Sequence, residues 1–236
     1  MSVIARELLD RLEHHYRQLL SMPDPLAAFT DGLLIVDGDY ASTGFVKVRG
    51  VLPAEAFASL ACDLLPILHA VAEPVRLRHE PTPQGMLSDG ATFARVDPDC
   101  SPNGATLARL LDLLGLRAFG KLLAERLTPL VQHVAGDVYY QRLYCYVYGE
   151  GDYISVHNDH HVGDRVDIQF AHSPGSSAGL RVLTDGLLRM HYDRPGSMNV
   201  LGPRIWHDVP PLTRTETGAE PQRVTIGLRF MPPTDA

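Results

Sequence analysis

From Val138 to Phe230 the chain is a succession of short apolar segments, each cut off by turn residues: YYQRLYCYVY, DYISVH, RVDIQFAH, GLRVL, LLRMHY, SMNVL and RVTIGLRF. Segments this short and this evenly spaced read as strands, and several of them alternate apolar with polar residues. Thr184-Asp185-Gly186 separates two of them, and Asp-Gly supplies the pair of positive φ angles that a tight hairpin needs. Asp193-Arg194-Pro195-Gly196 marks a second turn. Many short strands must either close on themselves or stack in two sheets, because an open sheet leaves edges and an unburied face. The spacing predicts a mainly β core of about eight strands at about 136–232, of the jelly-roll (double-stranded β-helix) type.

The N-terminal part has a different texture. Ile4, Leu8, Leu9, Leu12, Tyr16 and Leu19 recur at spacings of three and four and draw one apolar stripe, which Ser21 to Pro25 ends. LLIVDGD and GFVKVRGVL read as strands. Pro53-Ala54-Glu55 opens a helix that runs through AFASLACDLLPILHAV, with a kink expected at Pro66. Residues 78–104 are punctuated by Pro, Gly, Asp and Ser and read as a long loop, the candidate lid and substrate-recognition segment. A further helical stretch, ATLARLLDLLGLRAFGKLLAERLTPLVQHV, is expected to break near Gly115. No repeat or low-complexity tract divides the chain. Residues 1–236 read as one domain, with N-terminal helices (about 1–135) packed on the β core.

Composition narrows the functions. The formal charge is −7 with no Lys/Arg run, which argues against nucleic acid and anionic membranes as partners. Cys62, Cys100 and Cys145 are odd in number and lack CxxC spacing, which fits free thiols in a cytoplasmic protein rather than a disulfide scaffold or thiolate zinc site. The amphipathic, charged start does not read as a signal peptide, and no apolar run is expected to span a bilayer.

The densest chemistry lies in GDYISVHNDHHVGD, residues 151–164, with three histidines and three aspartates. His157 and Asp159 are two apart, so on a strand they face one way. An imidazole and a carboxylate so placed are two legs of an octahedral face. One more imidazole completes the two-His-one-carboxylate triad of non-haem Fe(II) sites, which leaves three positions open. His207 in GPRIWHDVPP is the preferred third ligand and His191 its competitor; His160, His161 and Asp164 read as solvated turn residues or as groups that orient ligands.

The ordered set His157-Asn158-Asp159, His207 and Arg223-Val224-Thr225 resembles the Fe(II)/2-oxoglutarate dioxygenase superfamily. Tyr148-Gly149-Glu150-Gly151-Asp152 resembles its Tyr-x-x-Gly-Asp lead-in to the metal histidine. AGLRVLTDGLLRMHYDRPGSMNVL is similar to a segment of antibiotic-biosynthesis members, and GFVKVRGVLPAEAF to the N-terminal strand and helix of the phytanoyl-CoA hydroxylase branch. The resemblance implies Fe(II) held by His157, Asp159 and His207, with 2-oxoglutarate and O₂ at the open positions. Arg223, Thr225 and Tyr148 would bind the cosubstrate, the Arg fork gripping its distal carboxylate. Two departures stand. The insert LTRTETGAEPQ lengthens the gap from His207 to Arg223 and keeps Arg214 and Arg229 open as carboxylate binders. DIQFAHS also lacks the family's Tyr-Leu-Asn ending.

The implied activity is hydroxylation, desaturation or cyclisation at an unactivated C–H of a small molecule, with release of succinate and CO₂. Retention of Asp159 disfavours halogenation. The alternative is a cupin-like jelly-roll module that holds a metal or a sugar without redox chemistry. The tyrosines at 140, 144, 146 and 148 share one strand face, and several of them read as core or wall.

Overall fold

The computed structural model describes residues 6–77, 80–81, 87–88, 90–160, 164–174, 178–213 and 220–233. Helix α1 (Arg6–Leu20) buries Leu12, Tyr16 and Leu19, the predicted stripe. The Tyr16 hydroxyl donates to the Leu114 carbonyl at 3.0 Å and its ring stacks on Phe119. Helix α2 (Pro25–Thr30) is capped by Asp24, whose carboxylate accepts from the backbone N–H groups of Leu26 and Ala27. Strands β1 (Ile35–Asp39) and β2 (Phe45–Arg49) pair antiparallel across the one-turn helix α3 (Tyr40–Thr43).

Helix α4 (Ala54–Val71) continues through Pro66 and buries Phe57, Leu60, Ala61, Leu64 and Leu68. Its 18 residues, with a mean hydropathy of 1.4, are long and apolar enough to cross a bilayer by composition alone. The expectation that no run reaches that threshold is therefore corrected. In the folded chain this helix packs on α1 and contributes to the main core.

The segment expected as one loop contains ordered strands. After β3 (Glu73–Leu77) and the two-residue pair β4 (Glu80–Pro81) and β5 (Leu87–Ser88), β6 (Ala91–Val96) pairs with β3. Its partners lie on both sides in sequence, so local punctuation concealed it. Residues 78–79, 82–86 and 89 of that segment lie outside the described residues. A 3₁₀ turn at Pro98–Cys100 then leads to α5 (Gly104–Leu113), and Gly115 at φ 69° breaks the helical run before α6 (Leu116–Ala135).

The C-terminal segments form eight strands: β7 (Tyr139–Tyr148), β8 (Tyr153–His157), β9 (Val166–His172), β10 (Gly179–Thr184), β11 (Leu187–Tyr192), β12 (Met198–Leu201), β13 (His207–Val209) and β14 (Arg223–Met231). They lie in the order β12-β9-β14-β7 and β8-β13-β10-β11, with β6 bridging β7 and β8 and with β2 and β1 extending the first group. This is the double-stranded β-helix expected from the strand spacing. Strand alternation sorts the residues. Val46, Val48, Ile168, Phe170, Val200, Ile226 and Leu228 face the helices and join their core. Asp167, Gln169, Arg229 and the tyrosines at 144, 146 and 148 face the barrel interior.

Candidate metal centre

β8 ends on His157 and β13 begins on His207, and the two are direct cross-strand partners. Their rings lie 4.3 Å apart, tilted by 53°. The strand stops at His157, so the two-residue pleat does not place Asp159. A turn does, and the Asp159 backbone N–H, donated to the Pro203 carbonyl at 3.0 Å, ties it beside the approach to His207. One carboxylate oxygen lies 3.9 Å from His157 Nε2 and the other 3.9 Å from His207 Nε2. One ligand atom from each residue falls within 4.8 Å of the other two.

The tautomers follow from the backbone. His157 Nδ1 sits 2.8 Å from the Ser155 carbonyl and His207 Nδ1 3.0 Å from that of Ile205. A carbonyl only accepts, so each Nδ1 carries the proton and each Nε2 presents its lone pair beside Asp159. Two imidazoles and a carboxylate converging in this way match the donor set of a facial metal site.

The sequence reading missed Arg165. Its Nη2 lies 2.8 Å from Asp159 Oδ1, and its Nε lies 2.8 Å from Asp167 Oδ2, although that N–H does not aim at the carboxylate. Arg229 Nε donates to Asp167 Oδ1 at 3.0 Å. Asp159, Arg165, Asp167 and Arg229 therefore form a chain of alternating charge leading away from the triad. Burial opposes ionisation of Asp159, but His207, Arg165 and His157 outweigh it and hold the carboxyl below the usual range. A signal was present: Arg165 and Asp167 are two apart at the start of β9, so two opposite charges fall on its inward face.

A cavity of about 600 Å³ opens on the triad. Tyr148, Leu180 and Val209 line one end. Arg95, Asp97, Arg142 and Arg229 line the other, consistent with the pairing of β7 and β14 from Tyr148↔Arg223 to Arg142↔Arg229. Arg223 is 1% exposed and lies outside the lining. Its fork meets Asp193, with Nε at 2.8 Å from Oδ2 and Nη2 at 3.3 Å from Oδ1, and its guanidinium lies 5.0 Å from the Tyr148 ring centroid. The buried Thr225 hydroxyl finds no partner among the described residues. Burial pushes the Tyr148 phenol up to about 12. Arg229 lines the cavity but is held by Asp167. Arg214 and His161 lie outside the described residues. His191 packs against Phe45, at 4.5 Å between ring centroids, and does not belong to the triad; His160 is exposed near Asp164.

The described residues thus form an eight-stranded double-stranded β-helix with a His-x-Asp…His triad facing its interior. No family model matches the chain, and no curated protein matches its sequence. Among solved structures it is similar to SnoN, a non-heme alpha-ketoglutarate-dependent epimerase from nogalamycin biosynthesis, at 16% identity and a TM-score of 0.53, covering 97% of this chain and 84% of SnoN. It is also similar to HygX from Streptomyces hygroscopicus, solved with nickel and 2-oxoglutarate bound, at 14% identity and a TM-score of 0.50 over 82% of this chain and 84% of HygX. HygX has also been solved with hygromycin B. At these identities the likeness is one of fold.

Proposed function

We propose that this protein is an Fe(II)- and 2-oxoglutarate-dependent oxygenase that oxidises an unactivated C–H bond of a small molecule, with hydroxylation as the primary outcome. The observation that carries the reading is the convergence of His157 Nε2, His207 Nε2 and the Asp159 carboxylate, with both imidazole tautomers set by backbone carbonyls. In the balanced reaction one oxygen atom of O₂ enters the substrate and the other enters succinate, while CO₂ leaves. A bound Fe(II) supplies the activation of O₂. The chain's own part is to hold the ligands on one face, to orient the cosubstrate and to keep water from the barrel interior. HygX, which shares the fold, supports a metal and 2-oxoglutarate as the ligands.

Arg223, Thr225 and Tyr148 are proposed to hold the distal carboxylate of 2-oxoglutarate. The partnerless Thr225 hydroxyl favours them, because a buried hydroxyl without an acceptor or donor is costly. Asp193 already occupies one edge of the Arg223 fork and would share the guanidinium. Arg229 is the second reading, favoured by its place in the cavity wall.

The test is an anaerobic titration of the protein with Fe(II) and then 2-oxoglutarate, reading the visible metal-to-ligand charge-transfer band. A saturable band is expected, lost in His207→Ala. Metal binding with no band favours the non-redox binding module. Arg223→Ala is expected to weaken the 2-oxoglutarate titration strongly; if Arg229→Ala does so instead, the anchor is Arg229.

A further inference from the structure

Two guanidiniums at the end of the cavity lined by Arg95 and Arg142 grip the same short turn. Arg95 Nη2 donates to the Cys100 carbonyl at 2.8 Å, and Arg142 Nη2 reaches Cys100 Sγ at 3.4 Å. Each keeps a buried Nε–H with no acceptor among the described residues. Unsatisfied buried donors are rare in native proteins. Two of them, on neighbouring cations in a cavity wall, mark a place prepared for an acceptor.

The charges differ. Arg142 is neutralised by Asp97 at 3.3 Å and Asp99 at 3.2 Å, Arg229 is paired with Asp167, and Arg165 spans Asp159 and Asp167. Arg95 has no carboxylate within ion-pair distance among the described residues. Glu73 lies opposite it across β3 and β6 and feels its charge at longer range, but that carboxylate makes its hydrogen bonds to Ser101 Oγ and Asn103 Nδ2 and no ion pair to Arg95. Arg95 is thus the one guanidinium of this wall with no direct ion pair among the described residues.

We propose that Arg95, with Arg142 beside it, seats a carboxylate of the substrate, so that the substrate class is a small organic monoacid. A single guanidinium without a direct ion pair matches a monoanion better than a phosphate dianion. A guanidinium fork with a vacant Nε edge suits carboxylate geometry. The strand places the seat well: the cross-strand partner of Arg95 is Tyr146, and Tyr146 lines the same cavity as Asp159 and His157. Phe93 packs edge-on against Tyr146, at 4.9 Å between centroids, and gives the body of the acid an aromatic wall. The proposal rests on the oxygenase reading of the triad.

The test uses protein loaded with nickel and one equivalent of 2-oxoglutarate, and repeats each measurement on the metal-free protein. Benzoate, 3-phenylpropanoate and N-acetylglycine are each compared with their primary amides by ligand-observed NMR. At least one acid is expected to bind about tenfold or more tightly than its amide. Arg95→Gln should bring that ratio close to one while nickel and 2-oxoglutarate affinity and thermal midpoint hold. Arg95→Lys, which keeps the charge but lacks the Nε–H, should give an intermediate ratio and serves if the glutamine variant does not fold. Acids and amides binding alike, no acid binding, or an undiminished ratio in both variants overturns the seat. Failure of the wild-type protein to take nickel and 2-oxoglutarate overturns the oxygenase reading instead, and the metal-free series separates the two failures.

Discussion

Asp159 sits between two claims at the scale of single residues. Arg165 Nη2 lies 2.8 Å from Oδ1, the oxygen that also lies 3.9 Å from His157 Nε2, while Oδ2 lies 3.9 Å from His207 Nε2. An outer partner of this kind fixes the orientation of a ligand, and its loss typically costs 10–100-fold in metal affinity. Arg165→Gln is therefore expected to weaken nickel binding by about that factor in calorimetry, and to lower the melting temperature of the metal-free state, because Asp159 and Asp167 lose their shared cation. Unaltered nickel affinity would remove Arg165 from the positioning role. Two other residues set a pH dependence. Burial holds the pKa of His172 and of His191 below the ordinary value of 6.5, against Asp193 for the first and helped by Lys47 for the second. The unfolded chain then takes up these protons first as the pH falls, so their contribution to stability is complete above 6.5 and declines below it. The denaturant midpoint of the metal-free protein is expected to drop between pH 7.5 and pH 5.5, and the double variant His172→Asn/His191→Asn should flatten that drop. An equally steep drop in the double variant would place the protons elsewhere.

Elements differ in how far their construction is written locally. The β10–β11 hairpin is fully local: Asp185 at φ 53° and Gly186 at φ 76° make the tight turn that Asp-Gly announces. An added Cβ at Gly186 meets nothing within 4 Å, so Gly186→Ala carries backbone strain alone, about 1 kcal/mol. Gly227 in β14 is the opposite case. A Cβ there would lie 2.1 Å from Tyr144 Cζ, inside a packed wall of the cavity. Gly227→Ala is expected to cost about 1–3 kcal/mol through overpacking, more than Gly186→Ala, and to shift the 2-oxoglutarate titration as the ring moves. Equal midpoints for the two variants in urea would show that the tyrosine yields freely. Strand β6 was illegible for a different reason. ATFARV alternates, but it is short, flanked by Pro and Gly, and held on one side by β3 and on the other by β7 and β8, which come from distant parts of the chain.

At the scale of the whole molecule, one core cluster joins Leu12, Leu60 and Leu127 of the helices to Phe170, Val200 and Ile226 of the sheet. The proposal of a single domain then predicts one cooperative transition, with far- and near-ultraviolet circular dichroism superposed. Leu60→Ala should lower both signals together, at a cost of about 2–5 kcal/mol. Two separated transitions would divide the helices from the barrel. Sequence alone determined the strand count of the core, the hairpin, the break at Gly115 and the order of the candidate ligands His157, Asp159 and His207. Each of these depends on periodicity, turn chemistry or motif spacing, which neighbouring residues carry. Tertiary structure decided that His157 and His207 face each other across β8 and β13, that Asp193 meets Arg223, that Arg165 reaches Asp159 and that the Arg95 Nε–H finds no acceptor among the described residues. Those contacts depend on which strands lie side by side and which inward-facing groups meet across the barrel, and long-range pairing sets both.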